Sequence, residues 1–364
     1  MSLLKLCLVG GFLGSGKTTA ILEAAKYLYI SGKKVGVITN DQGTQQVDSL
    51  FIKSHHIPSE EVSGGCFCCN YKDLEKSIHA LIDKNNLDII FAESVGSCTD
   101  LAATVINPLL SSNADKYEIV LSVFADVRLL LPFLRNEKNI FYDTVNYIYE
   151  KQLEEADILI VNKIDLLNEE QLSFAKKLIT EKFGNKIIHY QNSLSKKSVA
   201  QWLQLVNNNF HNTALRSTLD IDYDIYGAGE AELAWLDEEI GIVTTGSGAV
   251  AAGYLLIHKI YSRLTKNNYP IGHLKFLMDD GTEQRKISFN SIGIDTNANA
   301  TKRRETDRII VLINARVQMP PALLEKIVSD AIIETELSAA CRIIENNLAA
   351  FKPGYPKPTH RIMR

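Results

Sequence analysis

Through the first half of the chain, short apolar runs alternate with longer stretches of helical periodicity. Residues 4–9, 34–39, 88–92, 118–125, 157–161 and 186–190 read as strands, and 17–31, 74–84, 139–155, 169–183 and 198–206 as helices. The strands are near-continuously apolar, as strands covered on both faces must be, so the pattern predicts a parallel sheet between two helical layers. Ligands of such sheets collect at the carboxyl ends of the strands. The periodicity lapses over 208–229, a stretch rich in Asn, Asp and Thr, and then resumes in another style. A helix is expected over 249–264, strands over 272–278, 286–289 and 308–317, and a last helix over 320–334 opened by Pro320-Pro321. Asp279-Asp280-Gly281 fits the hairpin turn between two of those strands. The expected organisation is a three-layer α/β unit at 1–207, a connector at 208–229, a smaller α+β unit at 230–351, and an extended tail at 352–364 holding three prolines.

Composition narrows the function classes. The chain has 364 residues, 46% hydrophobic and 23% charged, which suits two packed units and excludes wholesale disorder. Its 43 acidic and 39 basic residues give a formal net charge of −4, and no basic tract appears. Binding to nucleic acid through the phosphate backbone is therefore not expected. No secretory leader and no long apolar run is visible, so the expectation is a cytoplasmic protein with no membrane partner. Six cysteines are few for this length, and three of them fall within four residues. In a reducing compartment that bunching suggests a metal site or reactive thiols, not disulfides.

The sharpest motif is Gly11-Phe12-Leu13-Gly14-Ser15-Gly16-Lys17-Thr18, lying between a predicted strand and a predicted helix. This is a phosphate loop: glycines let backbone N–H groups converge on phosphate oxygens at a helix N-terminus. Lys17 would reach the β- and γ-phosphates, and the Thr18 hydroxyl would ligate Mg²⁺. The first unit is thus expected to be a P-loop NTPase domain. Asn162-Lys163-Ile164-Asp165 follows the strand at 157–161. A carboxylate there accepts two hydrogen bonds from guanine, whereas adenine would leave it buried without a donor, so the motif selects GTP over ATP. Asn162 would brace the loop and the Lys163 stem would cover the ring. Asn192-Ser193-Leu194-Ser195 can add a contact to the guanine oxygen. Glu93 ends a buried strand and can hold Mg²⁺ through water, and the Gly96 amide can meet the γ-phosphate. Asp41 is a further candidate near that ion, with a turn or cap residue as its alternative. Lys17, Glu93 and Asp41 are the expected catalytic groups. No arginine finger or catalytic glutamine is evident, so intrinsic hydrolysis should be slow.

Gly64-Gly65-Cys66-Phe67-Cys68-Cys69-Asn70 lies between the two segments expected to sense the γ-phosphate. Three thiolates in four residues can share one ion only if the backbone turns sharply, which the glycines permit. Zn–S bonds of about 2.3 Å in tetrahedral geometry would set the sulfurs roughly 3.8 Å apart. Soft thiolates suit Zn²⁺, with Co²⁺ or Ni²⁺ as alternatives. Three ligands leave one position for water, a partner's ligand, Cys98, His55 or His56. A small buried side chain is an equal reading for Cys98, and His55-His56 read first as ordinary loop residues. Buried or redox-active thiols are the alternative for the triplet. Cys7, in a strand, and Cys341, in an expected helical segment, read as core.

Taken in order, these motifs resemble the CobW/HypB/UreG GTPases, most closely the CobW-like branch with its Cys-X-Cys-Cys motif. The resemblance spans about residues 3–205 and implies a GTP-dependent metallochaperone that delivers a metal to, or matures, a client metalloenzyme. It implies that Gly14, Ser15, Gly16, Lys17, Thr18 and Thr19 bind the phosphates. It further implies that Asn162, Lys163 and Asp165 read guanine and that Cys66, Cys68 and Cys69 hold the transition metal. Members often dimerise, so a homodimer is compatible. Asn40-Asp41-Gln42-Gly43 is nearer the Thr-Asn-Asp form of nickel chaperones than the usual Asn-Glu-Phe-Gly, and Cys98 is similar to the hydrogenase-maturation branch. The alternative function is a GTP-gated adaptor for a cofactor-dependent enzyme, such as a corrinoid enzyme, without metal transfer. A third, a P-loop kinase or ATPase, is disfavoured by Asn162-Lys163-Ile164-Asp165.

Overall fold

A computed structural model describes residues 3–43, 47–113, 116–135, 137, 140–210, 214–294 and 306–364. The chain forms two compact units that are not contiguous in sequence. The first comprises Met1–Gln42, His55–Gly227 and Pro356–Arg364, the second Gly43–Ser54 and Ala228–Tyr355. The linear division expected from the sequence, at 207 and 230, thus differs at two places. A segment after the second strand belongs with the later residues, and the final nine residues belong with the earlier ones.

In the first unit the strands are β1 (Leu4–Gly11), β2 (Val35–Asn40), β3 (Ser59–Val62), β4 (Ile89–Glu93), β5 (Tyr117–Asp126), β6 (Ile158–Asn162) and β7 (Ile187–Gln191). They make one sheet ordered β3-β2-β4-β1-β5-β6-β7. Every pairing in it is parallel. β1, β2, β4 and β6 are buried along all or most of their length, which is why they read as unbroken apolar runs. The helices that cover this sheet include α1 (Lys17–Ile30), α3 (Tyr71–Lys84), α6 (Asp143–Glu155), α7 (Glu169–Phe183) and α8 (Lys196–Asn208). The short α4 (Asn107–Asn113) and α5 (Val127–Leu134) complete the unit's own helices, while α9 (Tyr223–Ala231) carries the boundary. Helix α7 starts where its sequence dictates: Asn168 and Gln171 form a reciprocal capping box that satisfies otherwise unpaired amides. On α8, Trp202 is fully buried against Phe91 and Phe124, and its indole N–H donates to Ser122 Oγ at 3.1 Å.

The second unit is a six-stranded antiparallel sheet, ordered β11-β10-β9-β12-β8-β13. Its strands are β8 (Leu233–Thr244), β9 (Ile271–Asp279), β10 (Gln284–Asn290), β11 (Gly293–Ile294), β12 (Arg308–Gln318) and β13 (Cys341–Phe351). Alternate residues of β8 and β12, such as Leu236, Ile240, Val311 and Ile313, pack under α10 (Ala249–Lys266) and α11 (Pro321–Ala339). The opposite face carries a buried Arg316, which bonds Asp237 at 2.7 Å and lies over the Trp235 ring at 3.8 Å. The same face receives α2 (Val47–Lys53). The Val47 amide donates to Asn314 Oδ1 at 2.9 Å, and Val47 and Phe51 pack on Leu277 and Leu312. Burial would push the Asp48 carboxyl up, but Lys275 and Lys286 beside it hold it well below its ordinary range. Cys341, expected within a helix, opens β13 instead, after α11 stops at the left-handed Ala340. Among the described residues, no helix is long and apolar enough to cross a membrane.

Candidate functional site

The predicted phosphate loop leaves β1 at the centre of the parallel sheet and enters α1 at Lys17. Gly16, immediately before the helix, has φ of 92°. A Cβ there would sit 2.5 Å from Asn162 Nδ2, so conformation and packing both demand glycine. Lys17 is buried, its ammonium donating to the carbonyls of Gly11 at 2.7 Å and Phe12 at 3.3 Å. The Thr18 hydroxyl donates to Glu93 Oε1 at 2.9 Å, bringing together the two residues expected to share Mg²⁺. A hydroxyl and a carboxylate are hard oxygen donors, the chemistry that ion prefers. Ser15 is buried and Thr19 partly so, both in the same turn.

The predicted guanine-reading segment clasps this loop from the end of β6. Asn162 Nδ2 donates to the Ser15 carbonyl at 2.8 Å, while its Oδ1 accepts from Ser193 Oγ at 2.8 Å. Lys163, at φ of 66°, reaches the Gly14 carbonyl at 2.6 Å and Asp126 at 2.9 Å. Burial pushes the Asp126 carboxyl up, yet Lys163 and the bidentate Arg128 hold it below its ordinary value. Asp165 stands exposed in the single turn Ile164–Leu166. Leu194 is also exposed, and its amide donates to Asn192 Oδ1 at 2.8 Å.

The loop after β4 presses on the phosphate loop. A Cβ on Gly96 would lie 2.6 Å from Leu13 Cδ2 and 3.0 Å from the Leu13 amide nitrogen. Two residues later comes Cys98, buried, with its thiol on the side of Cys66 and Cys68. Gln152 of α6 fastens this loop, donating to the Gly96 carbonyl at 3.0 Å and the Cys98 carbonyl at 2.8 Å. Sequence reasoning missed Gln152. The available signal was its position on the otherwise apolar stripe of Val145, Ile148, Tyr149 and Leu153.

Cys66, Cys68 and Cys69 bring their sulfurs to one point. The Sγ separations are 2.8 Å (Cys66–Cys68), 3.3 Å (Cys66–Cys69) and 3.8 Å (Cys68–Cys69). The sharp turn required of them is made by the Cys69 and Asn70 amides, both donating to the Cys66 carbonyl, immediately before α3 begins. Hydrogen bonds from Cys68, then Cys69 and Cys98, hold the Cys66 thiol well below its ordinary value. The donors move the other way: the Cys69 thiol is pushed up to about 11, chiefly by its bond to Cys66. Three sulfurs gathered at one point are a donor set for a soft ion; the Cys68–Cys69 separation is that of tetrahedral sulfur ligation, and the two separations to Cys66 are shorter. His55, His56 and Cys98, the expected candidates for a fourth position, are not part of the converging group of Cys66, Cys68 and Cys69.

Asn40, the last residue of β2, ties this loop to the sheet. Its Nδ2 donates to the carbonyls of Val62 at 3.0 Å and Gly65 at 2.7 Å, and its Oδ1 accepts from the Phe67 amide at 2.9 Å. Asn40 is thus spent on the cysteine loop, while the residue expected on the magnesium side is its neighbour Asp41. Asp41 follows it, with its amide on the Val62 carbonyl at 3.2 Å.

Residues 5–188 match the family model described as "CobW/HypB/UreG, nucleotide-binding domain". The chain is 30% identical over 165 residues to the zinc chaperone YeiR of Escherichia coli, covering 43% of this chain and 46% of that protein. It is 26% identical over 199 residues to the zinc chaperone CobW of a Sinorhizobium species, covering 49% and 56%. The chain thus spans about half the length of the curated relatives it matches. Among solved structures, HypB from Helicobacter pylori in complex with nickel aligns at 17% identity with a TM-score of 0.42, over 58% of this chain and 91% of that one.

Proposed function

Because the chain belongs to the CobW/HypB/UreG family of nucleotide-binding domains, we propose that it is a GTP-hydrolysing metallochaperone. In this reading it captures a soft divalent ion, zinc foremost, on Cys66, Cys68, Cys69 and Cys98 and passes it to a client metalloenzyme. One observation carries the reading. Gly96 packs on the phosphate loop, and Cys98, two residues on, lies beside Cys66 and Cys68, outside the converging three. Any movement of that short loop with the γ-phosphate therefore moves a ligand.

GTP would be held by the phosphate-loop amides, by Lys17 released from its two carbonyls, and by Asp165 on the base. Mg²⁺, bound by Thr18 and Glu93, would neutralise charge developing on the transferred phosphoryl group. Gln152 would keep Gly96 and Cys98 moving as one piece. The names of the curated relatives support zinc as cargo. The test is zinc affinity measured by competition with a chromophoric chelator, once with a non-hydrolysable GTP analogue and once with GDP. The two affinities should differ at least fivefold, the low end of ordinary allosteric coupling. Equal values refute the coupling.

A further inference from the structure

The last nine described residues lie across the sulfur site. Pro356-Lys357-Pro358 contains a single amide N–H, because proline has none, and that one donates to Cys69 Sγ at 3.3 Å. Thr359 follows with two bonds to the Cys68 carbonyl, from its amide at 3.0 Å and its hydroxyl at 3.2 Å. The His360 ring meets the edge of Tyr71, the first residue of α3, at 4.8 Å. Arg361 Nε then bonds Asp100 Oδ2 at 2.8 Å, and its guanidinium lies 5.0 Å from the Tyr223 ring centroid. The Ile362 amide reaches the Ala103 carbonyl at 2.9 Å, and its carbonyl accepts from Asn107 Nδ2 at 2.9 Å.

Lys357, Thr359, His360 and Arg361 are all exposed and are held by polar bonds, while Pro356 is buried and Pro358 and Ile362 partly so. Its firmest anchor is a charge-assisted bond to Asp100, a residue two positions after Cys98 whose side chain is almost wholly buried. The segment is thus fastened at one end to the sulfur-bearing loop and at the other to the loop that carries Cys98. An N–H···S bond withdraws charge from a thiolate and fixes its direction, as outer-shell donors do for metal ligands generally.

We propose that residues 356–364 form the outer wall of the metal site, the Lys357 amide tuning Cys69 as a ligand and the Arg361–Asp100 pair positioning that amide. The proposal rests on the metallochaperone reading, in that it takes the sulfur cluster as a metal site. Its consequence is that metal release is set in part by a segment nearly 300 residues away in sequence from the cysteines.

Three variants of the full chain test it. Lys357→Pro removes the amide donor in a stretch already extended, Lys357→Ala keeps the donor and removes the side chain, and Arg361→Ala removes the anchor. Zinc dissociation is followed by transfer to excess chelator. Lys357→Pro and Arg361→Ala should release zinc about 10–100-fold faster than wild type, the usual penalty for losing an outer-shell partner, and Lys357→Ala should match wild type. Loading with Co²⁺ gives a second readout that a purely structural disturbance would not produce. The sulfur-to-cobalt charge-transfer band should move to longer wavelength in Lys357→Pro, since a sulfur without its hydrogen bond gives up electrons more readily, and should stay in place in Lys357→Ala. If wild type binds zinc and all three variants release it at the wild-type rate with unshifted cobalt bands, the wall is refuted while the metal site stands. If wild type binds neither ion, the metallochaperone reading falls and the wall with it.

Discussion

Replacing Asn40 by alanine isolates the coupling between the end of β2 and the cysteine loop. The side chain is 8% exposed and makes three bonds, to the Val62 and Gly65 carbonyls and the Phe67 amide. Each such bond contributes about 1 kcal/mol net, and truncation leaves the three main-chain groups to find water or stay unpaired. The loss is thus about 3 kcal/mol. Gly65 and Phe67 flank Cys66, so most of that loss falls on the order of the turn that presents the sulfurs. If the metal must re-form the turn on binding, the cost appears in affinity at about 1.4 kcal/mol per factor of ten, or roughly 100-fold. Zinc affinity of Asn40→Ala by chelator competition should therefore fall about 100-fold, while GDP affinity, which the proposed function assigns to the phosphate loop and Asp165, should change by less than about threefold. Asn40→Asp should do no better, because it keeps the acceptor for Phe67 but turns a carboxylate on two carbonyls. An Asn40→Ala protein with wild-type zinc affinity refutes the idea that this residue organises the site.

Asp165→Asn should weaken GTP binding about 100-fold, from the loss of two charge-assisted bonds, and should improve binding of xanthosine triphosphate, whose 2-oxo group can accept from the new amide; calorimetry with both nucleotides checks it. Gly96→Ala places a methyl 3.0 Å from the Leu13 amide nitrogen, which the backbone cannot yield without displacing the loop, so single-turnover GTP hydrolysis should drop at least about tenfold with GDP binding retained. In the second unit, burial and then the facing Glu345 and Glu325 push the Glu238 carboxyl from 4.5 up to about 8. The folded state therefore keeps a proton that the unfolded chain gives up, and stability falls as pH rises from about 4.5 to about 8 and levels off above. Glu238→Gln should remove that slope and be the more stable protein at pH 8, by at most about 5 kcal/mol, in denaturant titrations run at pH 5, 6.5 and 8. Glu155 in the first unit, also pushed to about 8 by burial and by Asp100, contributes its own slope, so the difference between variant and wild type is the quantity to compare.

The parallel strands were legible because burial on both faces writes itself as unbroken apolar runs, and the phosphate loop because its glycines serve backbone needs no other residue meets. β8 and β13 were not. Along β8 the apolar register is broken by Asp237 and Glu238, the first of which is compensated by Arg316 on a strand 79 residues away. β13 is an edge strand whose Glu345, Asn346 and Asn347 face solvent across a bulge, which reads as loop. β3 is four residues long with two glutamates, too short for periodicity to register. In the site, the cysteine triplet and the Asn162-Lys163-Ile164-Asp165 segment were local patterns and could be found. The bonds of Asn40, Gln152 and Lys357 are long-range, and their residue types are common on any surface. The tail was expected from its prolines, and its destination had no signal in the sequence.

The excursion of Gly43–Ser54 has a bearing on how this protein can be taken apart. A fragment ending near residue 227 would retain α2 but not Lys275, Lys286, Asn314, Leu277 or Leu312, leaving Asp48 without its cations and Val47 and Phe51 in water. The nucleotide-binding half is therefore not a detachable cassette. Chimaeras that exchange the later half between relatives would have to carry the dozen residues after Gln42 with it, since those residues belong to the guest rather than the host.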